Sequence, residues 1–190
     1  WDSGNAYWYF DGAHSSITKY DFHDDHGPGG SDHSDGEIAR YVEGEVQMDA
    51  RSVSHMELDR AANKLYIADT GNNRIAVLDT TSGSRSGTMG PNYDGANQYR
   101  MSNATITTFV DGAQAGLQKP AGLAIHDGMV FVSDYQTSRI TAFDMSGDVV
   151  DYLDTALPSG SLAGITFDDQ GDLWFVDMAG NQVLKISPKN

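Results

Sequence analysis

Apolar and polar positions in this chain alternate in short bursts rather than in the stripe of a helix. Four stretches share one pattern: an apolar run, an Asp, four small or polar residues, then a second apolar run. They run from Leu65 to Asp79, from Val130 to Asp144, from Leu173 to Ser187 and, more loosely, from Tyr7 to Asp21. Strand-length runs broken by small polar residues read as β-hairpins, so the pattern predicts one hairpin written four times. Almost nothing reads as helix, and the fold class expected is all-β.

The marker residues Asp11, Asp69, Asp134 and Asp177 stand 58, 65 and 43 residues apart. The shortest interval is the bare period. Repeats of ~40–45 residues made only of short strands are the mark of a β-propeller, whose blades are four antiparallel strands each. The fullest copy predicts an inner strand at 121–125, a second at 129–133, a third at 139–144 and an outer one at 149–153, with turns at Asp127-Gly128 and Ser146-Gly147-Asp148. About four blades are visible: a partial one over 1–54, a blade over 55–112, one over 120–155 and a partial one over 162–190. The first lacks an inner strand and the last an outer one, which leaves fourteen expected strands.

The run Ala68-Asp69-Thr70-Gly71-Asn72-Asn73-Arg74-Ile75 resembles the hallmark of the NHL-repeat family of β-propellers. The likeness extends over nearly the whole chain and weakens outward: Arg139 keeps the basic position, while Gln182 and Ser16 do not. Family members commonly have six blades, and six bare periods need more residues than the 190 present. Three readings stay open: blades missing from a six-bladed ring, a smaller closed ring, or partner strands supplied by another chain. Peptide-amidating lyases and gluconolactonase-like propellers look similar. The first resemblance implies a zinc held by histidines at inner-strand starts, a pattern that only His55 keeps, since Ala121 and Ala163 stand in its place elsewhere. The second implies a divalent cation held by acidic and Asn ligands, for which Glu57 and Asn72 or Asn73 are available.

Composition narrows the partners. Twelve Lys and Arg face twenty-seven Asp and Glu, a net charge of −15. Phosphate neutralisation needs clustered basic residues, so nucleic acid is an unfit partner and cations fit better. No window approaches the ~20 apolar residues of a membrane span. Without Cys there are no disulfides or thiolate ligands. The chain opens at Trp1 with no signal-like segment, which is expected of a processed product or a fragment.

Because a residue type repeated in every copy serves blade folding, the marker Asp and the Arg after it are expected to pin the hairpin turn. Chemistry belongs where the copies differ. Two insertions, 21–36 and 84–103, each fall between a third and a fourth strand and should emerge on one face. The first gathers His23, His26 and His33 with Asp24, Asp25 and Asp32 around Gly27-Pro28-Gly29-Gly30. Imidazoles with carboxylates suit Zn or Cu, carboxylates alone suit Ca, and a solvated polar loop fits the same composition. The second has no titratable cluster. Tyr93, Tyr99 and Arg100 make it a candidate contact surface, or it is a passive surface loop.

His55 opens an inner strand and His14 sits in a turn of the preceding blade, so strand alternation places both toward one mouth of the central channel, as metal ligands or an acid/base pair. The function expected is an acidic, extracytoplasmic (periplasmic or secreted) binding or scaffold module for a protein or polymer, with a bound divalent metal. The alternative is a metal-dependent lyase or lactone hydrolase at the channel mouth. Unpaired strand positions at both ends leave room for a homo-oligomer or strand exchange.

Overall fold

The computed structural model describes residue 2 and residues 4–24, 30, 32–92 and 95–187. Sixteen strands form four sheets there. The first blade holds β1 (Ala6–Asp11), β2 (Ser16–Asp21) and β3 (Glu37–Tyr41). The second holds β4 (Met56–Asp59), β5 (Lys64–Asp69), β6 (Arg74–Asp79) and β9 (Ile106–Asp111), with β7 (Ser84–Thr88) and β8 (Asn97–Ser102) between its last two strands. The third is β10 (Pro120–His126), β11 (Met129–Asp134), β12 (Arg139–Asp144) and β13 (Val149–Asp154), and the fourth is β14 (Leu162–Phe167), β15 (Leu173–Asp177) and β16 (Gln182–Ile186). A short α-helix, α1 (Gly112–Ala115), follows β9, capped by the Asp111 side chain, which accepts from the amides of Ala113 and Gln114.

Middle strands bury both faces, which is why they read as continuous apolar runs rather than as a clean alternation. Along β5, Leu65 and Ile67 enter a core with Ile17, Tyr41 and Val42 of the first blade, while Tyr66 and Ala68 enter another with Leu123, Val130 and Phe143 of the third. A third core joins Ile140 to Leu162, Ile165 and Phe175. Every blade therefore depends on its neighbours, and each fully buried aliphatic side chain contributes about 1.5–3 kcal/mol.

Two strands exceed the fourteen expected, and both lie in 84–103. That segment is not a surface loop. It folds as an antiparallel hairpin, β7 with β8, and β8 lies parallel to β3, so the first sheet runs β1-β2-β3-β8-β7. An insertion from the second blade thus completes the outer edge of the first. Its strands carry few apolar residues beyond Tyr99 and Met101, which is why hydrophobic patterning missed them.

Candidate functional site

The marker Asp residues take up framework positions. Asp69 is fully buried; Oδ1 accepts from the Gln47 amide at 2.7 Å and Oδ2 from Arg74 Nε at 2.7 Å, with Asn72 Nδ2 at 3.0 Å. Asp134 receives four backbone N–H groups, from Gln118, Lys119, Gln136 and Thr137. Each carboxylate closes its own hairpin turn and also ties down the segment arriving from the preceding blade. Asp177 accepts within its own turn, from the Gly180 amide and Gln182 Nε2, and also lies beside the Ser161 hydroxyl of the segment arriving from the third blade. Asp11 holds the His14 ring, Nδ1 to Oδ2 at 2.8 Å.

The inner strands β4, β10 and β14 pack side by side. The His55 amide donates to Ala121 O at 2.9 Å, and a Cβ on Gly164 would stand 2.6 Å from His55 Cε1, so the ring of the second blade lies against the backbone of the fourth. Thr70 donates to Pro120 O at 2.7 Å and lies 2.9 Å from the Ser54 hydroxyl. Beside His55 opens a cavity of about 920 Å³ whose lining includes Trp8, Glu57, Asp59, Arg60 and Ile125. Burial lowers the His55 pKa and raises that of Glu57, so both are biased toward their uncharged forms. His14 does not line this cavity; its ring is on Asp11, and Gly12 and Ala13 of its turn line an adjoining cavity of about 490 Å³ with Ser54 and Met56, the residues on either side of His55. One imidazole with Glu57 falls short of the three protein ligands of a catalytic zinc.

Of the histidine segment, His26 and Asp25 lie outside the described residues, as does Tyr93 of the second insertion. His23 is exposed, with Nδ1 3.5 Å from Asp21 Oδ1 and its amide donating to the same atom. The Asp24 amide donates to Asp35, Asp32 accepts from the Ser34 amide, and the His33 ring packs 5.3 Å from Phe22. Among the described residues, no group of three or more His, Asp or Glu side chains is placed to hold a metal ion.

Tyr99 and Arg100 are neighbours on β8, the first half-buried and the second exposed, and both bind side chains of the first blade. Tyr99 donates to Glu37 Oε2 at 3.0 Å, Arg100 Nε reaches Glu43 at 2.9 Å, and Arg85 grips Glu37 at 2.6 and 2.7 Å while stacking 4.2 Å over the Tyr99 ring. Burial alone would raise the Glu37 pKa, but the hydrogen bonds from Arg85 and Tyr99 outweigh it and hold the carboxyl below its ordinary value. These side chains staple the hairpin to the first blade.

A different surface stands open on the disc's rim. Val149, Val150 and Tyr152 of β13 are 50–58% exposed, and Val183 and Ile186 of β16 are 60% and 38% exposed. Between these strands runs a groove of about 480 Å³ floored by Phe131, Ile140, Phe167 and Leu173.

Comparison with known proteins found no matching family model, and no curated protein matched. Solved structures do match. A streptogramin B lyase structure gives a TM-score of 0.59 at 14% identity over 95% of this chain and 47% of that one. A nidogen/laminin complex gives 0.58 at 15% identity, over 90% and 58%. A catalytically inactive virginiamycin B lyase from Staphylococcus aureus with quinupristin gives 0.54 at 16% identity, over 100% and 65%. The chain spans less than two thirds of the length of these structures. At such identities the likeness shows the fold, and the fold is a β-propeller of antiparallel blades.

Proposed function

We propose that this chain is a binding module of NHL-type blades that takes a protein or polymer partner on the rim between its third and fourth blades. The observation that carries the reading is the groove between the third and fourth blades, bordered by exposed Tyr152 and Ile186, with Val149, Val150 and Val183 also exposed on the same two strands of an otherwise strongly acidic body. Scattered apolar residues are ordinary on a surface, whereas a contiguous set beside a groove marks an interaction site. A likeness to a structure of two proteins in complex supports the same direction. We place the protein outside the cytoplasm, periplasmic or secreted, with a divalent ion (Zn, Cu or Ca) held by His23, His26 and His33 and the Asp residues between them.

A photo-cross-linking residue placed at Tyr152 or Val183 should capture one partner from an extract of the source cells, and the same residue at Glu57 should not. A partner reached only from Glu57 would move the site to the cavity.

A second reading is favoured by that cavity: a lyase or lactone hydrolase in which His55 accepts a proton. Burial keeps the imidazole neutral near pH 7, as a base requires, and solved lyases share the fold. With quinupristin, the compound in one such structure, His55→Ala should then abolish turnover with little change in melting temperature. Unchanged turnover retires the enzyme reading.

A further inference from the structure

The β7–β8 hairpin belongs to one blade by sequence and to another by contact. It leaves the second blade after β6 and returns to it at β9, yet β8 pairs with β3 of the first blade, from Glu37 opposite Asn97 to Arg40 opposite Arg100. Its base stays with the second blade. The Thr105 amide donates to Ser82 Oγ at 2.8 Å, the Asp79 amide to Thr105 O at 3.0 Å and the Thr80 amide to Asn63 O at 3.0 Å. Directly beyond that base stand Gly83 at φ +90° and Asn103 at φ +57°, next to Ser84 and Ser102, the first pair of the hairpin. Both chain crossings turn in the left-handed region that small and Asn residues tolerate, at the ends of two strands, where hinges are found.

Charge and polar contacts hold the hairpin down. No residue of β7 or β8 is fully buried, and Tyr99 and Met101 are the partly buried residues of these strands that reach the core shared by the first two blades. The remaining side-chain contacts run from Arg85 and Tyr99 to Glu37 and from Arg100 to Glu43. The Arg85 and Arg100 side chains are 60% and 48% exposed, so water and salt reach both seats. Exposed ion pairs contribute little each and weaken as salt rises. In β5 and β6, by contrast, Leu65, Ile67, Ile75 and Leu78 are buried.

From the hinge and the charged seam we propose that the hairpin is a strap, which swings off the first blade as a unit about Gly83 and Asn103 while both blades stay folded. The contacts at Glu37 and Glu43 set how often it opens. Opening breaks the parallel pairing of β8 with β3 and leaves the pairing of β5, β6 and β9 in place. It bares the outer edge of β3. Segments with exposed hydrogen bonds and few buried contacts are the ones that open below the cost of global unfolding.

Hydrogen exchange on the whole chain, read by NMR, tests this. Amides bonded across the seam, among them Asn97, which donates to Gly36 O at 2.8 Å, should exchange at least ~100-fold faster than those of β6. Since a lone two-stranded hairpin is only marginally stable in water, β7 should follow them, while β9 stays protected. Raising NaCl from 0.1 M to 1 M, which shortens the screening length from about 10 Å to about 3 Å, should speed the seam a further ~5-fold relative to β6. Glu37→Gln should speed it ~10-fold at low salt and show a smaller response to salt. The chain has no Cys, so a disulfide between Ile38→Cys and Gln98→Cys, which stand opposite one another in the seam, can lock the strap. The oxidised protein should exchange slowly across the seam, and reduction should restore fast exchange. Fast exchange that persists in the oxidised protein overturns the inference. So does a seam as slow as β6, or one that carries β9 along with it, since either removes the hinge. A rate indifferent to both salt and Glu37→Gln overturns the assignment of Glu37 and Glu43 as the latch.

Discussion

Asp69→Ala separates a framework residue from a functional one. The buried carboxylate serves two groups from different parts of the chain, the Gln47 amide and the Arg74 guanidinium, each at 2.7 Å. Removing one member of a buried charged pair costs about 3–5 kcal/mol when the other stays buried. The Arg74 side chain is 23% exposed and also donates to Glu45 O, so it can turn toward water, which places its share at the low end. The Gln47 amide loses its acceptor at a cost of about 1–3 kcal/mol. A net loss of about 4 kcal/mol follows, which for a domain of this size lowers the melting temperature by about 8–16 °C. Asp69→Asn keeps an oxygen for the amide and should lose roughly half as much, whereas Asp169→Ala, at an exposed position, should leave melting unchanged. Urea denaturation followed by tryptophan fluorescence reads all three. An Asp69→Ala protein that melts within about 1 °C of wild type and yet loses its partner would refute the framework assignment.

Four further outcomes are expected. Because burial lowers the folded-state pKa of His55, its contribution to stability is full above about pH 6.5 and declines as pH falls below that, while the raised Glu57 pKa makes its contribution full below about pH 4.5 and lost as pH rises; His55→Gln should flatten the first slope and Glu57→Gln the second in melting curves taken across pH. Tyr99→Ala, which removes the Glu37 hydrogen bond and the platform for Arg85, should raise amide exchange in β8 about tenfold while β12 exchanges as before; unchanged exchange would mean that the hairpin docks by other means. His26→Ala should lose a stoichiometric divalent metal by elemental mass spectrometry and lower the melting temperature without affecting partner binding, and a wild-type protein free of metal would end that proposal. Tyr152→Ser with Val183→Ser should leave melting within about 2 °C of wild type, since both side chains are more than half exposed.

Period and hairpin chemistry made the blades legible. The Asp-to-Arg spacing of five residues, repeated with small residues between, marks the turn whether or not the basic residue survives, and the strands expected at 121–125, 129–133, 139–144 and 149–153 all form. What escaped was long-range. Nothing local in Ser84-Arg85-Ser86-Gly87-Thr88 says strand, because its pairing energy comes from β8, and β8 in turn leans on β3, some sixty residues earlier in the chain. For the same reason the sequence offers Tyr99 and Arg100 as candidate contact residues without showing that Glu37 and Glu43 stand beside them. His55 lies beside an open space, and what residue spacing could not show is that the His14 ring is held by its own neighbour Asp11. The rim groove left no motif at all, since its lining is drawn one or two residues at a time from strands of two different blades.

Partner affinity measured on two variants tests the account most directly, once cross-linking from Tyr152 has identified the partner. The account expects the Tyr152→Ser, Val183→Ser protein to bind at least ~10-fold more weakly and His55→Ala to bind as wild type does. Full affinity in the rim variant together with a loss in His55→Ala would contradict it and place the working surface at the channel cavity.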